Sequence, residues 1–232
     1  MSNYYQNNSE KKFDFSSLTS EKNVSIALTA LVAIGLLIGG WFWYRSYTLS
    51  QVQAAQKVLS SCLAEYEKVR AGGSLAQWQT LDAMCSAGYE KHKNSPVAPY
   101  FLAIQADAFL AQGKINEALA LLDKMVTGLP TMSPMYYLYQ TKKALVGLDQ
   151  DEDTLKQSAL NELEKLAYNN DNPNADYALY YLGEYYWHEK KIDQARQVWQ
   201  DLETRFKSDS KNGQSPWAVL AQYKLQQTGY ES

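Results

Sequence analysis

Two cysteines are the side chains of this sequence best suited to covalent chemistry. Cys62 and Cys85 are too far apart in sequence for a paired zinc-ligand motif, and the chain has only two histidines, His92 and His188. No HExxH, GxSxG, P-loop or CxxC pattern is present. The sequence therefore predicts no catalytic site, no metal and no cofactor, and it leaves a disulfide as the chemistry open to the cysteines.

Two helices are expected to position these cysteines. Apolar residues recur at three- and four-residue steps from Leu49 to Arg70 and again from Leu75 to His92. Gly72-Gly73 between them predicts a helix-ending turn. An antiparallel hairpin folded at this turn brings Cys62 and Cys85 together on its apolar face. They could be two small buried apolar residues, but an oxidising compartment favours a disulfide between them.

An apolar stretch ahead of this hairpin predicts the cellular compartment in which the cysteines lie. No charged residue occurs from Val24 to Tyr44, and a helix of this length spans about 32 Å, close to the hydrocarbon core of a bilayer at about 30 Å. A buried soluble helix seldom has so long an uncharged run. A cleaved signal peptide has a shorter apolar run, which is followed by small residues at the cleavage site. The stretch predicts an uncleaved transmembrane helix over 24–44, with interfacial aromatics Trp41, Trp43 and Tyr44.

Flanking charge sets the expected orientation of this helix. Three lysines precede it and Arg45 alone follows closely, so the positive-inside rule places the tail 1–23 in the cytosol and the rest of the chain across the membrane. Gly35 and Gly39 form a small-xxx-small step that could contact a partner helix or could simply face lipid. The net charge of −3, without clusters, predicts no nucleic-acid partner.

The remaining two thirds of the chain contain a repeat. The segment Tyr100–Met125 aligns with Tyr177–Leu202 at a constant offset and without a gap. In both copies, small and large side chains occupy the positions that the tetratricopeptide pattern assigns to them. This pattern describes a hairpin of two helices that cross closely. These positions are Ala106, Phe109, Ala118 and Leu122 in the first copy, and Leu182, Gly183, Tyr186, Ala195 and Trp199 in the second.

Other signals extend the repeat. Ser or Asn followed by Pro is typical of a helix start. Such pairs recur about every 40 residues, a period typical of helical repeats. They are Ser95-Pro96, Ser133-Pro134, Asn172-Pro173 and Ser215-Pro216. A degenerate middle copy would use Ala144 and Ala159 as small positions, Leu163 and Leu166 as large ones, and a loop over Gly147–Asp153.

A single amphipathic helix over Pro216–Gln227 is expected to cap the array, with Gln222, Lys224 and Gln226 facing outward. The predicted fold is all-α. A hairpin over 45–94 leads into tetratricopeptide-like repeats over 95–232, which end in the capping helix.

The chain has 18 tyrosines, and several of them fall where such repeats bind partners. The first helix of each hairpin lines the concave face, and Tyr and Trp contribute strongly to binding when they are desolvated. Packing between helices is the alternative, and it is preferred for Tyr181 and Tyr186. The predicted partner-binding groove consists of Tyr100, Asp107, Tyr177, Tyr180, Glu184 and Trp187.

The whole arrangement resembles the YfgM-like family. The shared features are a short tail, a membrane helix ending in GGWFWYRSY, a long helix beginning QVQAAQK, and a degenerate tetratricopeptide domain. Members of this family are bacterial inner-membrane proteins that accompany the SecYEG translocon and periplasmic chaperones such as the PpiD prolyl isomerase. The Asn- and Tyr-rich tail, the cysteine pair and the more aromatic domain depart from this likeness.

The resemblance implies a function and a location. The chain would be a non-enzymatic adaptor in the inner membrane, with a cytosolic N-terminus and a periplasmic domain, that binds chaperones or emerging polypeptides beside the Sec translocon. The alternative is a scaffold subunit of another bacterial envelope assembly, such as secretion, pilus or cell-division machinery.

Overall fold

The computed structural model describes the backbone of residues 21–206 and 215–228 and the side chains of residues 33–206 and 215–227. Within these ranges the chain is all-α, as the sequence predicts. Its helices are α1 (Glu21–Arg70), α2 (Leu75–His92), α3 (Ala98–Ala111), α4 (Ile115–Thr127), α5 (Pro134–Gly147), α6 (Asp153–Tyr168), α7 (Ala175–His188), α8 (Ile192–Arg205) and α9 (Pro216–Thr228).

The chain forms two compact units, of which the first ends at Gln51. In the first unit the described side chains of α1 are largely exposed, including Trp41, Trp43 and Tyr44. No helix in the described part of the chain is both long enough and apolar enough to cross a membrane. The predicted tail, 1–23, and the first part of the predicted span, 24–32, lie outside the residues whose side chains are described.

The second unit begins at Val52 and contains the predicted hairpins. Helices α3 and α4 cross at Ala106 and Ala118, which are both fully buried. Helices α7 and α8 cross at Gly183, which packs directly against the indole ring of Trp199. The small positions of both aligned copies therefore lie at helix crossings, as the tetratricopeptide pattern predicts.

The middle hairpin, α5 and α6, keeps the expected large positions but crosses at a different residue. Leu163 and Leu166 are buried as predicted. The tight contact opposite Ala159 is made by Gly147, where a Cβ atom would lie 2.7 Å from the Cβ of Ala159. Ala144 is also buried, one turn earlier in α5. Gly147 therefore belongs to the helix crossing as well as to the end of α5.

Two of the four Ser/Asn-Pro pairs begin helices. The Oγ atoms of Ser133 and Ser215 accept hydrogen bonds from backbone N–H groups two residues on, at 3.3 and 3.1 Å. Ser95 and Asn172 accept the same bond, from the N–H groups of Val97 at 3.4 Å and Asn174 at 2.8 Å. They do so in turns ahead of α3 and α7, so these two helices begin later than expected. The Asn172 side chain is buried there and donates a hydrogen bond of 2.8 Å to the carbonyl of Leu166, which stabilises the turn.

Helix α9 is rotated relative to the expected orientation. Gln226 is exposed as expected, but Gln222 and Lys224 are half-buried against neighbouring helices. Leu220 and Tyr223 face solvent in their place. This orientation follows from the residues that anchor the helix in the core of the second unit, the fully buried Ala218 and Ala221.

Candidate partner-binding site

A groove lies where the end of α1 meets α3 and α5, all within the second unit. It has a volume of about 470 Å³ and mainly apolar walls. We call it the N-terminal groove. Leu63 on the α1 wall is 45% exposed, so this wall presents apolar area to solvent. The apolar and aromatic wall residues include Leu59, Leu63, Tyr66, Tyr100, Ile104 and Tyr139.

The polar groups of this groove form a small network around Asp107. The Tyr66 hydroxyl donates to Asp107 Oδ2 at 3.0 Å, and the Lys142 ammonium donates to Oδ1 at 2.5 Å. Both charged side chains are mostly covered, which reduces the screening of their attraction by solvent. The carboxylate is thus neutralised inside the protein and offers little net charge to a ligand.

Two tyrosines of the groove titrate well above the physiological range. Burial, and then the negative charge of Asp107, raises the pKa of Tyr66 to about 12 and that of Tyr139 to about 12. Both phenols therefore remain protonated at neutral pH. Tyr66 uses its proton in the bond to Asp107, while the Tyr139 ring lies beside the Lys142 ammonium, 5.8 Å from its centroid.

Two of the predicted groove residues on α7, Tyr177 and Tyr180, are half-buried beneath α9. Trp217, near the start of α9, packs against Tyr177 and Tyr180 with ring centroids 5.0 and 5.3 Å away. Tyr181 joins the same aromatic cluster at 5.7 Å. Each such ring pair is worth about 0.5–1.5 kcal/mol beyond simple burial, so α9 has substantial contacts to lose if it leaves α7.

Glu184 on α7 repeats the arrangement found at Asp107. These two acids occupy equivalent positions in the two aligned copies of the repeat. Asp107 of α3 pairs with Lys142 of α5, and Glu184 of α7 pairs with Lys224 of α9 at 2.8 Å. In each case an acid on the first helix of one hairpin binds a lysine on the first helix of the next element. We call each of these acid–lysine pairs a rung.

The structure therefore divides the six predicted groove residues among three places. Tyr100 and Asp107 line the N-terminal groove. Tyr177, Tyr180 and Glu184 lie under α9. Trp187 turns toward α8, where its ring lies 6.1 Å from that of Trp199. Tyr186 is buried, as the packing alternative predicts. Partner binding by any of these residues remains a prediction.

The two glycines predicted to meet a partner helix are open. A Cβ atom added at Gly35 or Gly39 would meet nothing within 4 Å, so this step of α1 has no described neighbour. The side chains around it, including Leu36 and Ile38, are exposed. The space that a close helix contact requires is present, and contact itself remains a prediction.

The α1 and α5 walls of the N-terminal groove were not predicted from the sequence. Leu63 lies outside the recognised repeats, and Lys142 lies in the degenerate copy, where the alignment is weakest. One signal was available. Asp107 and Glu184 are equivalent acids, and each is followed by a helical lysine at a separation that matches one hairpin of the array.

The two cysteines do meet, as the predicted hairpin requires. Cys62 of α1 and Cys85 of α2 are fully buried free thiols in one core cluster. The disulfide remains a prediction. No group of three or more His, Cys, Asp or Glu side chains that could hold a metal ion occurs among the described residues.

Together the hairpins, their crossings and the row of first helices define a tetratricopeptide-like helical-repeat protein. No protein-family model matches the chain, and no curated protein matches its sequence. Solved structures do match: crystal structures of a kinesin light chain candidate from Podosopora anserina, with nearly identical TPR-like repeats, and of a point variant of that protein. Each is 16% identical in sequence to this chain, and the alignment covers 74% of this chain and 86% of the matched chain. The TM-scores are 0.51 and 0.52. This likeness establishes the fold.

Proposed function

We propose that this chain is a membrane-anchored, non-enzymatic adaptor that binds a segment of a protein partner in its N-terminal groove. The observation that carries the proposal is the groove itself. It combines apolar walls, an exposed Leu63, and polar groups that are already paired with one another. Such a surface gains free energy by covering apolar area and demands no charged ligand.

The composition of the predicted span supports the membrane part of the proposal. The predicted span 24–44 has no charge, and its C-terminal end has consecutive exposed aromatic side chains from Trp41 to Tyr44. Large exposed apolar patches mark contact with a protein or a membrane, and Trp and Tyr concentrate at the membrane–water interface.

The partner proposal is more specific and rests on the resemblance to the YfgM-like family. We assign the chain to the bacterial inner membrane, with a cytosolic N-terminus and a periplasmic second unit. Its partners would be the SecYEG translocon together with a periplasmic chaperone, a PpiD-like isomerase or an emerging polypeptide. An unfolded segment leaving the channel exposes apolar side chains, which suit the lining of the N-terminal groove.

Site-specific photo-crosslinking in living cells tests this proposal. A photoreactive residue at position 63 or 100 should capture a translocon subunit, a chaperone or an exported chain, identified by mass spectrometry. Positions 35 and 39 should capture a translocon subunit. Position 157, exposed on α6, is the control and should capture none of these. Lipid products alone at 35 and 39, with nothing at 63 and 100, would reject the adaptor.

A pair of matched substitutions sharpens the test of the groove. Leu63→Lys places a charge in the N-terminal groove and should reduce capture at position 100 at least tenfold. Leu155→Lys makes the same change at a leucine that is 48% exposed on α6, outside this groove, and should leave capture unchanged. If Leu155→Lys abolishes capture and Leu63→Lys does not, the partner binds elsewhere on the second unit. If capture continues after removal of the anchor and involves other envelope proteins, the scaffold alternative is favoured.

A further inference from the structure

The two buried thiols lie directly behind one wall of the N-terminal groove. Cys62 follows Leu59 by three residues and precedes Leu63 by one, and both leucines line the groove. Its partner thiol, Cys85, lies in α2 and belongs to the same core cluster as Leu59 and Phe101. A bond between the thiols would therefore join the α1 wall of the groove to the helix behind it.

The packing around the thiols leaves α1 little room at this point. One turn beyond Cys85, Gly88 lies so close to its neighbours that an added Cβ atom would be 2.6 Å from the Phe101 ring and 3.2 Å from Val58 of α1. Helices α1, α2 and α3 thus come together within one turn of the cysteine pair. A covalent link here fixes the position of α1 relative to the other two helices.

The two thiols shift each other's pKa in opposite directions. Interaction with the Cys85 thiol lowers the pKa of Cys62. Interaction with Cys62, together with burial, raises the pKa of Cys85. This asymmetry belongs to the docked arrangement, in which both sulfurs are buried, so it does not select the sulfur that reacts first.

We infer that Cys62 and Cys85 form a disulfide that acts as a clasp, holding the α1 wall of the N-terminal groove in its binding position. The clasp itself needs no partner, while its effect on partner binding rests on the proposed function. With free thiols, as in the structure, packing alone holds the end of α1 against α2, and the groove is formed. The bond makes opening of α1 rarer, so the groove is present for a larger fraction of the time.

The clasp forms by ordinary thiol–disulfide exchange. The thiolate of one cysteine, Cys62 for example, attacks one sulfur of an oxidant disulfide, such as oxidised glutathione, and releases the other as a thiolate. Cys85 then loses its proton and attacks the Cys62 sulfur of this mixed disulfide, which expels the second oxidant thiolate. Two electrons pass to the oxidant disulfide, which ends as two thiols or thiolates. Because both sulfurs are fully buried in the folded chain, the exchange takes place before α1 docks or when it opens.

Hydrogen exchange measured by mass spectrometry tests the clasp on the full chain in mild detergent. One sample is treated with oxidised glutathione and the other with dithiothreitol, and the thiols are counted by alkylation after denaturation. Amides of residues 55–69 should exchange at least tenfold more slowly in the oxidised sample. Amides of residues 192–205, in α8, serve as the internal control and should exchange equally in both.

Two results would overturn the inference. If both thiols are still alkylated in full after oxidation, no bond forms. If the bond forms but the amides of residues 55–69 exchange at the same rate in both samples, the disulfide does not restrain the end of α1. Cys62→Ala and, separately, Cys85→Ala should each abolish the redox difference. Photo-crosslinking at position 63 separates the two proposals, because failure of the adaptor abolishes capture in both redox states, whereas failure of the clasp leaves capture equal in both.

Discussion

At the residue scale, two equivalent turns show that the repeats share more than their helices. Gly113 and Lys190 occupy the same position in the two aligned copies, and both have left-handed backbones, with φ of 73° and 62°. In each turn the next backbone N–H donates to the carbonyl five residues before it, at 2.9 Å in both copies. This geometry closes a helix and favours glycine. Lys190 adopts it at a steric cost that Gly113 avoids.

Reciprocal substitutions at these turns should have opposite effects. Lys190→Gly should raise the free energy of unfolding by about 0.5–1 kcal/mol, because the left-handed conformation no longer strains a Cβ atom. Gly113→Ala should lower it by a similar amount for the converse reason. Urea unfolding followed by circular dichroism measures both. Equal effects of the same sign would show that the two turns are not equivalent.

Gly183 shows how a helix crossing restricts side-chain volume. An added Cβ atom would lie 2.5 Å from Cδ1 of Trp199, a ring that is fully buried and cannot swing aside. Gly183→Ala should therefore destabilise the protein by about 2 kcal/mol, even though alanine is the better helix former. Combining it with Trp199→Phe in a double-mutant cycle should recover part of this loss. Strict additivity of the two effects would contradict the proposed clash.

At the element scale, α9 is a structural part of the array as well as its end. Its first turn supplies Trp217 to the aromatic cluster of α7, and Lys224 completes a rung with Glu184. The helix thereby covers the α7 surface that the sequence suggested as a partner site. The N-terminal groove is lined by α1, α3 and α5 and lies apart from the surface covered by α9.

Two substitutions on α9 distinguish the residue that holds this helix in the array from an exposed residue at the end of the array. Trp217→Ala should destabilise the protein by about 2 kcal/mol, because a large half-buried ring is lost from the cluster, and it should expose Tyr180 to photo-crosslinking. Tyr223→Ala, at a residue that is 61% exposed on the same helix, should change stability by less than about 0.5 kcal/mol. Thermal unfolding compares the two. Similar losses would mean that the cluster does not hold α9.

The contrast between hairpins and groove explains what the sequence could predict. The hairpins follow from local spacing, since Ala106 with Ala118 and Gly183 with Ala195 mark helix crossings inside one repeat. The groove needs the placement of helices from different repeats, and no spacing within one repeat fixes where Leu63 lies relative to Tyr139. The rotation of α9 has the same origin, because the packing of Ala218 in the shared core decides it and its polar residues do not.

At the scale of the whole molecule, the two rungs determine the electrostatic character of the row of first helices. Asp107 and Glu184 are both neutralised by lysines, and the chain has a formal net charge of only −3. We expect partner association to depend little on salt. Raising sodium chloride from about 50 to about 300 mM should change the association rate by less than about threefold in a surface-binding measurement. A tenfold fall would indicate steering by charges outside the rungs.

For the proposed adaptor, the rungs would also determine the step at which partners are discriminated. Without a long-range field to guide it, a partner would arrive by plain diffusion, at about 10⁵–10⁶ M⁻¹s⁻¹, whether or not it fits. Discrimination would then fall on the time that each partner stays, which depends on how completely its apolar side chains fill the groove. An adaptor of this kind samples many passing chains briefly and retains the few that dissociate slowly.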